Sequence, residues 1–140
     1  MAYILSAAKS LAAIPNYRMR IHVNGETIED NFIYGMITNS ISVAGFKGLT
    51  GKDVHLDDGE FEVILIKGPT NPIELNEILS FLAGIIEKTE MVYTYKADQV
   101  QIESEQAIPW TMDGEFGGNH QSVDICNLHQ KVEIIVEKKK

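Results

Sequence analysis

Met19, Ile21 and Val23 alternate with Arg18, Arg20 and His22, and Asn24-Gly25 follows at once. Strict alternation of apolar and polar residues is the signature of a strand with one face buried. Asn-Gly is a favoured two-residue hairpin turn, because both of its residues tolerate a left-handed backbone. A return strand is therefore expected from Glu26 towards Tyr34, and the mostly apolar stretch from Gly35 to Ser42 reads as a further, buried strand. The same punctuation recurs along the chain. Asp57-Asp58-Gly59 introduces a strand from Glu60 to Lys67, which Gly68-Pro69 ends. Later strands are expected at Met91 to Tyr95, Val100 to Glu103, Ile108 to Met112, Gln121 to Asn127 and Lys131 to Glu137. Many short strands separated by turn signals restrict the chain to a mainly β, α+β architecture, a β-sandwich in the first place.

Two segments carry helical spacing instead. Ile4, Ala7, Ala8, Leu11 and Ala12 form one stripe that stops at Pro15-Asn16. At about three turns such a helix is marginal alone and needs a surface to pack on. In the second, Asn71 or Thr70 caps a helix with Pro72 in its first turn. Ile73, Leu75, Ile78, Leu79, Leu82, Ile85 and Ile86 are its expected core face, and it is expected to end near Lys88. Val43 to Asp53 is glycine-rich and reads as a loop. With no repeat and no low-complexity linker, residues 16–140 read as one domain and residues 1–15 as a helix leading into it.

Composition narrows the function classes. The 140 residues carry a net charge of -8, with 20 acids against 12 bases. Nucleic acid is thereby disfavoured as a partner, since phosphate binding needs clustered Lys and Arg. Lys138, Lys139 and Lys140 are the only basic run and read as a solvated tail. No apolar stretch approaches the roughly 20 residues needed to span a bilayer. Met1 to Pro15 has neither a basic leading region nor a small-residue cleavage pattern, so a cytoplasmic location is expected. The lone Cys126 agrees with a reducing compartment, and a buried position is expected for it.

Several catalytic motifs are excluded. Gly48-Leu49-Thr50-Gly51-Lys52 has the wrong spacing for a phosphate-binding loop, and no Ser or Thr follows Lys52. Asp53 to Glu60 offers no register that fits a calcium loop. His22, His55, His120 and His129 show no metal-site spacing and read as surface or turn residues. Two Asp-Gly-Glu tripeptides remain, Asp58-Gly59-Glu60 and Asp113-Gly114-Glu115. Either can be a simple turn. In an extended chain, Asp113 and Glu115 would point to one side, and paired carboxylates can accept a proton from an attacking hydroxyl and help hold a magnesium-bound phosphate. The preceding Ile108-Pro109-Trp110-Thr111 is apolar and would shield part of such a site from water.

The order of these pieces resembles a known family. Phe32-Ile33-Tyr34-Gly35-Met36-Ile37-Thr38-Asn39-Ser40, then Leu56-Asp57-Asp58-Gly59-Glu60-Phe61-Glu62-Val63-Ile64, then Trp110-Thr111-Met112-Asp113-Gly114-Glu115 are similar to the second domain of the bacterial diacylglycerol and lipid kinases. These in turn resemble sphingosine and ceramide kinases and, more distantly, NAD kinases. The resemblance covers nearly the whole chain, and Ala2-Tyr3-Ile4-Leu5 looks like the family's connecting helix between domains.

That resemblance implies a β-sandwich domain facing an amino-terminal nucleotide-binding domain whose Gly-Gly-Asp-Gly-Thr motif does not occur in this sequence. It implies Asp113 as general base and Glu115 as its supporting carboxylate. It also implies a magnesium site at Asp58, with His55 and Glu60 contributing main-chain carbonyls. The family usually has apolar residues at those two backbone positions, but a carbonyl ligand needs no particular side chain. The implied reaction is ATP-dependent phosphorylation of a lipid hydroxyl, diacylglycerol first, at a peripheral membrane contact. The chain alone is expected to be inactive, because positioning by both cleft walls supplies much of such catalysis. The unpartnered stripe of Ile4, Ala8 and Leu11 suggests a homo-oligomer of the isolated piece. Two other readings stay open: a non-catalytic β-sandwich binding module, and a kinase for another lipid alcohol such as a sphingoid base.

Overall fold

The computed structural model describes residues 13–39, 58–133 and 135. Six antiparallel strands and one helix follow in the order β1 (Tyr17–Val23), β2 (Glu26–Thr38), β3 (Phe61–Lys67), α1 (Pro72–Leu82), β4 (Val92–Ala97), β5 (Gln99–Met112) and β6 (Glu115–Cys126). The strands form one hydrogen-bonded sheet in the order β4-β3-β2-β1-β5-β6. The leading helix expected over residues 1–15, the loop from Val43 to Asp53 and the lysine tail lie largely or wholly outside the described residues.

A flat sheet cannot satisfy this connectivity. β4 and β5 stand four places apart in the sheet, a separation of about 19 Å at the usual strand spacing of about 4.8 Å. Yet Asp98 alone joins them. Two steps of about 3.8 Å are all that one intervening residue permits. The sheet therefore curls until the end of β4 meets the start of β5. A second contact confirms the closure: Asn24 Nδ2, in the β1–β2 turn, donates to the Lys96 carbonyl at 2.7 Å. One sheet thus wraps a core as the two layers of a sandwich do, in agreement with the β-sandwich expectation.

The core lies inside the curl. Met19, Ile21 and Val23 of β1, Phe32 of β2, Val63 and Leu65 of β3, Ala97 at the end of β4, and Val100, Ile102 and Ile108 of β5 are all buried there. Tyr93 meets Phe32 edge-on at 6.1 Å and stacks with Tyr95 at 6.4 Å. The polar residues of the β1 alternation face outward, where Arg18 and Arg20 flank Glu29 at 3.1 and 3.2 Å. A smaller cluster on the opposite face joins Ile64 and Ile66 of β3 to Ile78 of α1 and Met91. β3 is therefore buried on both faces, which explains its nearly continuous apolar run.

The two strands expected on either side of Tyr34 are one strand with a bulge. Phe32 pairs with Lys67 but Tyr34 with Ile66, leaving Ile33 as the extra residue. One extra residue reverses which face each later side chain takes. Phe32 and Ile37 accordingly share the main core, although their spacing is odd, while Ile33 and Met36 face the helix. β5 likewise unites the expected strands Val100–Glu103 and Ile108–Met112 across an irregularity between Glu103 and Ile108. The strand expected at Lys131 to Glu137 is not found at residues 131–133 or 135, where Val132 and Ile135 are exposed.

α1 begins as expected and ends early. The Asn71 side chain accepts a hydrogen bond from Glu74 N, and Pro72 occupies the first turn. Glu74 in turn accepts from Thr70 N at 2.6 Å and Thr70 Oγ1 at 2.8 Å. The helix stops at Leu82 rather than near Lys88, because Gly84 adopts φ +72 and breaks the helical backbone. Ile85 is consequently exposed, as are Ile73 and Leu79, and Ile78 is the buried residue of the helix.

Asn24 combines two demands, a left-handed φ of 51 and the hydrogen bond to Lys96 across the closure. Asn24→Ala is expected to lower unfolding free energy by about 1–2 kcal/mol in urea denaturation. An unchanged midpoint would show that this contact does not help hold the sheet closed.

Candidate functional site

The two Asp-Gly-Glu tripeptides are physically different objects. Asp113-Gly114 is a two-residue hairpin turn with φ 48 and 84, joining β5 to β6. Met112 pairs with Glu115 across it. Beyond Ser104, β5 has no register with β1, so Ile108 to His120 forms a two-stranded arm with the turn at its tip. Its far end carries a further bulge at Gly117, where Trp110 pairs with Gly118 and Thr111 with Phe116.

This placement corrects two expectations. Asp113 sits in the left-handed turn, not in an extended strand, so the rule that residues two apart point the same way does not extend to Asp113 and Glu115. The apolar run before it does not enclose it either. Ile108 is buried and Trp110 packs against the main core, while Asp113, Gly114 and Glu115 are exposed. The tip thus offers its carboxylates to solvent or to a facing surface.

At Asp58-Gly59-Glu60 the aspartate has no positive φ. Its Oδ1 accepts a hydrogen bond from Glu60 N at 2.9 Å, closing a side-chain-to-backbone turn. Gly59 adopts φ +78, and a Cβ there would stand 3.1 Å from the His129 ring. His129 therefore lies against this turn, on which only glycine fits. Asp58 Oδ2 is 3.9 Å from Lys96 Nζ. His55, the remaining residue of the expected magnesium site, lies outside the described residues.

Sequence reasoning missed the residue that stands out here. Glu62, two positions beyond Glu60, is 3% exposed, and neither carboxylate oxygen has a hydrogen-bond partner. It is directly opposite Lys96 on β4 and Thr38 on β2. Burial pushes its carboxyl above the ordinary value of 4.5; Lys96 pulls the other way, while Asp58 and Glu60 add to the rise. A signal was available in the sequence: Glu62 is a lone charge inside the apolar run from Phe61 to Ile66. In a strand buried on both faces, such a charge has no outward side to take.

Whether a divalent cation suits this turn follows from the donors present. Among the described residues no three His, Cys, Asp or Glu side chains converge as a cation's ligands. A cation here needs main-chain oxygens as well. Carboxylate and carbonyl oxygens are the donors that magnesium and calcium prefer, and a buried carboxylate lacking any hydrogen bond fits that need.

Cys126 is exposed, against the expectation of burial, because it ends β6, which is paired on one side only among the described residues. Its thiol is pushed up by desolvation and by Asp124. His22 and His120 make local contacts, with Thr27 Oγ1 and the Gly117 carbonyl, both at 2.9 Å.

The raised Glu62 value has a definite sign. A carboxyl that holds its proton more tightly when folded adds stability below its unfolded value near 4.5, and that stability is lost as pH rises through the folded value. In metal-free buffer, Glu62→Leu is expected to stabilise the fold at pH 7.5 by about 1–3 kcal/mol, with a smaller gain at pH 4. Thermal melts at the two pH values check this; equal gains at both would remove the burial of charge as the cause.

The comparisons with known proteins agree with this architecture. A diacylglycerol kinase of Staphylococcus carnosus (strain TM300) is 30% identical over 138 residues, covering 98% of this chain and 44% of that protein. A diacylglycerol kinase of Bacillus subtilis (strain 168) is 25% identical over 142 residues, covering 100% of this chain and 46% of that protein. The chain thus spans less than half the length of these curated relatives. A crystal structure of a Bacillus anthracis str. Sterne protein superposes with a TM-score of 0.67 at 19% identity, over 89% of this chain and 41% of that one. Another, of a diacylglycerol kinase from the same organism, gives 0.53 at 18% identity, over 88% and 42%. Likenesses at such low identity establish the fold alone. The model of the YegS C-terminal NAD kinase beta sandwich-like domain matches residues 1–132, and the chain belongs to that family.

Proposed function

We propose that this chain is the carboxy-terminal part of an ATP-dependent lipid kinase that phosphorylates diacylglycerol, with Asp113 as general base. The observation that carries the reading is the position of Asp113: an exposed carboxylate held at φ 48 on the tip of an arm that stands beyond the sheet's β1 pairing. An arm of this kind presents its turn to a facing domain or substrate. The names of the curated relatives support the substrate class.

In this reading Asp113 accepts the proton of the lipid hydroxyl as it attacks the γ-phosphate, and Glu115 supports it. The nucleotide is held by a separate amino-terminal domain, so the 140 residues alone are inactive. Magnesium, when bound with the nucleotide, neutralises phosphate charge. A second ion belongs at Asp58 with the carbonyls of His55 and Glu60, in a structural role. No helix among the described residues is long and apolar enough to cross a membrane. Contact with the lipid is therefore placed at the membrane surface, and the isolated piece is expected to self-associate.

The deciding comparison uses the full-length parent protein and its Asp113→Asn variant, assayed for ATP-dependent phosphorylation of diacylglycerol. Loss of about 10²–10⁴-fold in rate, with an unchanged melting temperature, is the outcome expected for a general base. Equal rates would make Asp113 a turn residue. Inactivity of both proteins on every lipid alcohol tried would favour a binding module.

A further inference from the structure

We infer that Glu62 is a ligand for a divalent cation at the Asp58-Gly59-Glu60 turn, a fourth position beyond the Asp58, His55 and Glu60 oxygens of the proposed structural site. The inference rests on the reading of that turn as a cation site and adds a residue of this chain to it.

Three observations converge. Glu62 is 3% exposed and both of its oxygens lack a hydrogen bond, so its charge is left without a local partner. Unpaired buried carboxylates are rare because desolvation is costly; a bound metal ion is one of the few ways to hold one ionised. Next, β3 places Glu62 on the same side as Glu60's position two residues earlier, directly across from Lys96. Lys96 Nζ is in turn 3.9 Å from Asp58 Oδ2, which ties the Glu62 register position to the Asp58 turn. Third, the turn itself is preorganised. Glu60 N holds Asp58 Oδ1, Gly59 is fixed at φ +78, and His129 packs over it. A ligand set on a braced turn loses little freedom when an ion arrives.

Lys96 is the competing cation. Its ammonium is borne on a flexible stem and its side chain is 37% exposed, so it can move towards water as a divalent ion takes its place. A single ammonium at 3.9 Å from Asp58 leaves the carboxylates of Asp58 and Glu62 in excess by one charge. A divalent ion balances the pair.

The test needs neither nucleotide nor lipid, so its outcome is separate from that of the kinase assay. The full-length protein is melted in EDTA and then with increasing MgCl2, and bound Mn2+ is counted by electron paramagnetic resonance. Wild type is expected to melt higher with millimolar Mg2+, and Glu62→Gln to need at least tenfold more Mg2+ for the same rise. Asp58→Asn should behave likewise, and both variants should bind one Mn2+ fewer. Glu62→Met, which keeps the site filled with apolar atoms, guards against misfolding: it should melt at or above wild type in EDTA yet lose the Mg2+ response. Wild type without a Mg2+ response, or Glu62 variants whose titrations coincide with wild type, would overturn the assignment.

Discussion

Asp98 sets the shape of this domain. It is the whole of the link between β4 and β5, strands that stand four places apart in the sheet. The backbone cannot bridge that gap in a flat sheet, so the sheet must curl, and curling creates the enclosed volume that Ile21, Phe32, Val63, Leu65 and Val100 fill. The Asn24–Lys96 hydrogen bond and the one from Asn127 N to the Asp98 carbonyl at 2.8 Å fasten the same end. The hydrophobic effect supplies the driving force, but the short link decides which strands enclose the core.

Both candidate sites depend on that closure. The curl brings Lys96, at the end of β4, beside Glu62 and the Asp58 turn. It also leaves the distal half of β5 with β6 as its partner, so the Asp113 turn projects as an arm. The two tripeptides therefore end in different settings: one is braced against the body of the sheet, the other is presented away from it. Identical residues, Asp-Gly-Glu, acquire different backbone conformations because one closes a hairpin and the other precedes a buried strand.

Much of the fold was legible in the sequence where local rules govern. The β1 alternation, the Asn24-Gly25 and Asp113-Gly114 turns, and the Asn71-Pro72 start of α1 all rest on neighbours within four residues. The errors share a cause as well. Tyr34 was read as a strand end because the bulge at Ile33 reverses the apolar pattern, which looks like two strands. The helix was run on to Lys88 because Ile85 and Ile86 keep its period, although Gly84 has already turned the chain. The site residues Asp113, Glu115, Asp58 and Glu60 were picked out by their type and order, yet Glu62 passed unnoticed as one polar residue in a strand.

By itself, the sequence determined the mainly antiparallel strand content, the positions of the tight turns and the family, since periodicity, turn chemistry and motif order are local properties of the chain. The tertiary structure alone decided how the sheet closes, which face each residue takes after the Ile33 bulge, and which carboxylates are exposed or buried. Those outcomes depend on contacts between residues far apart in sequence. Glu62 and Lys96 lie 34 positions apart and become neighbours because β3 and β4 pair in one register. No local pattern encodes that meeting, and it is what leaves a buried charge beside the Asp58 turn.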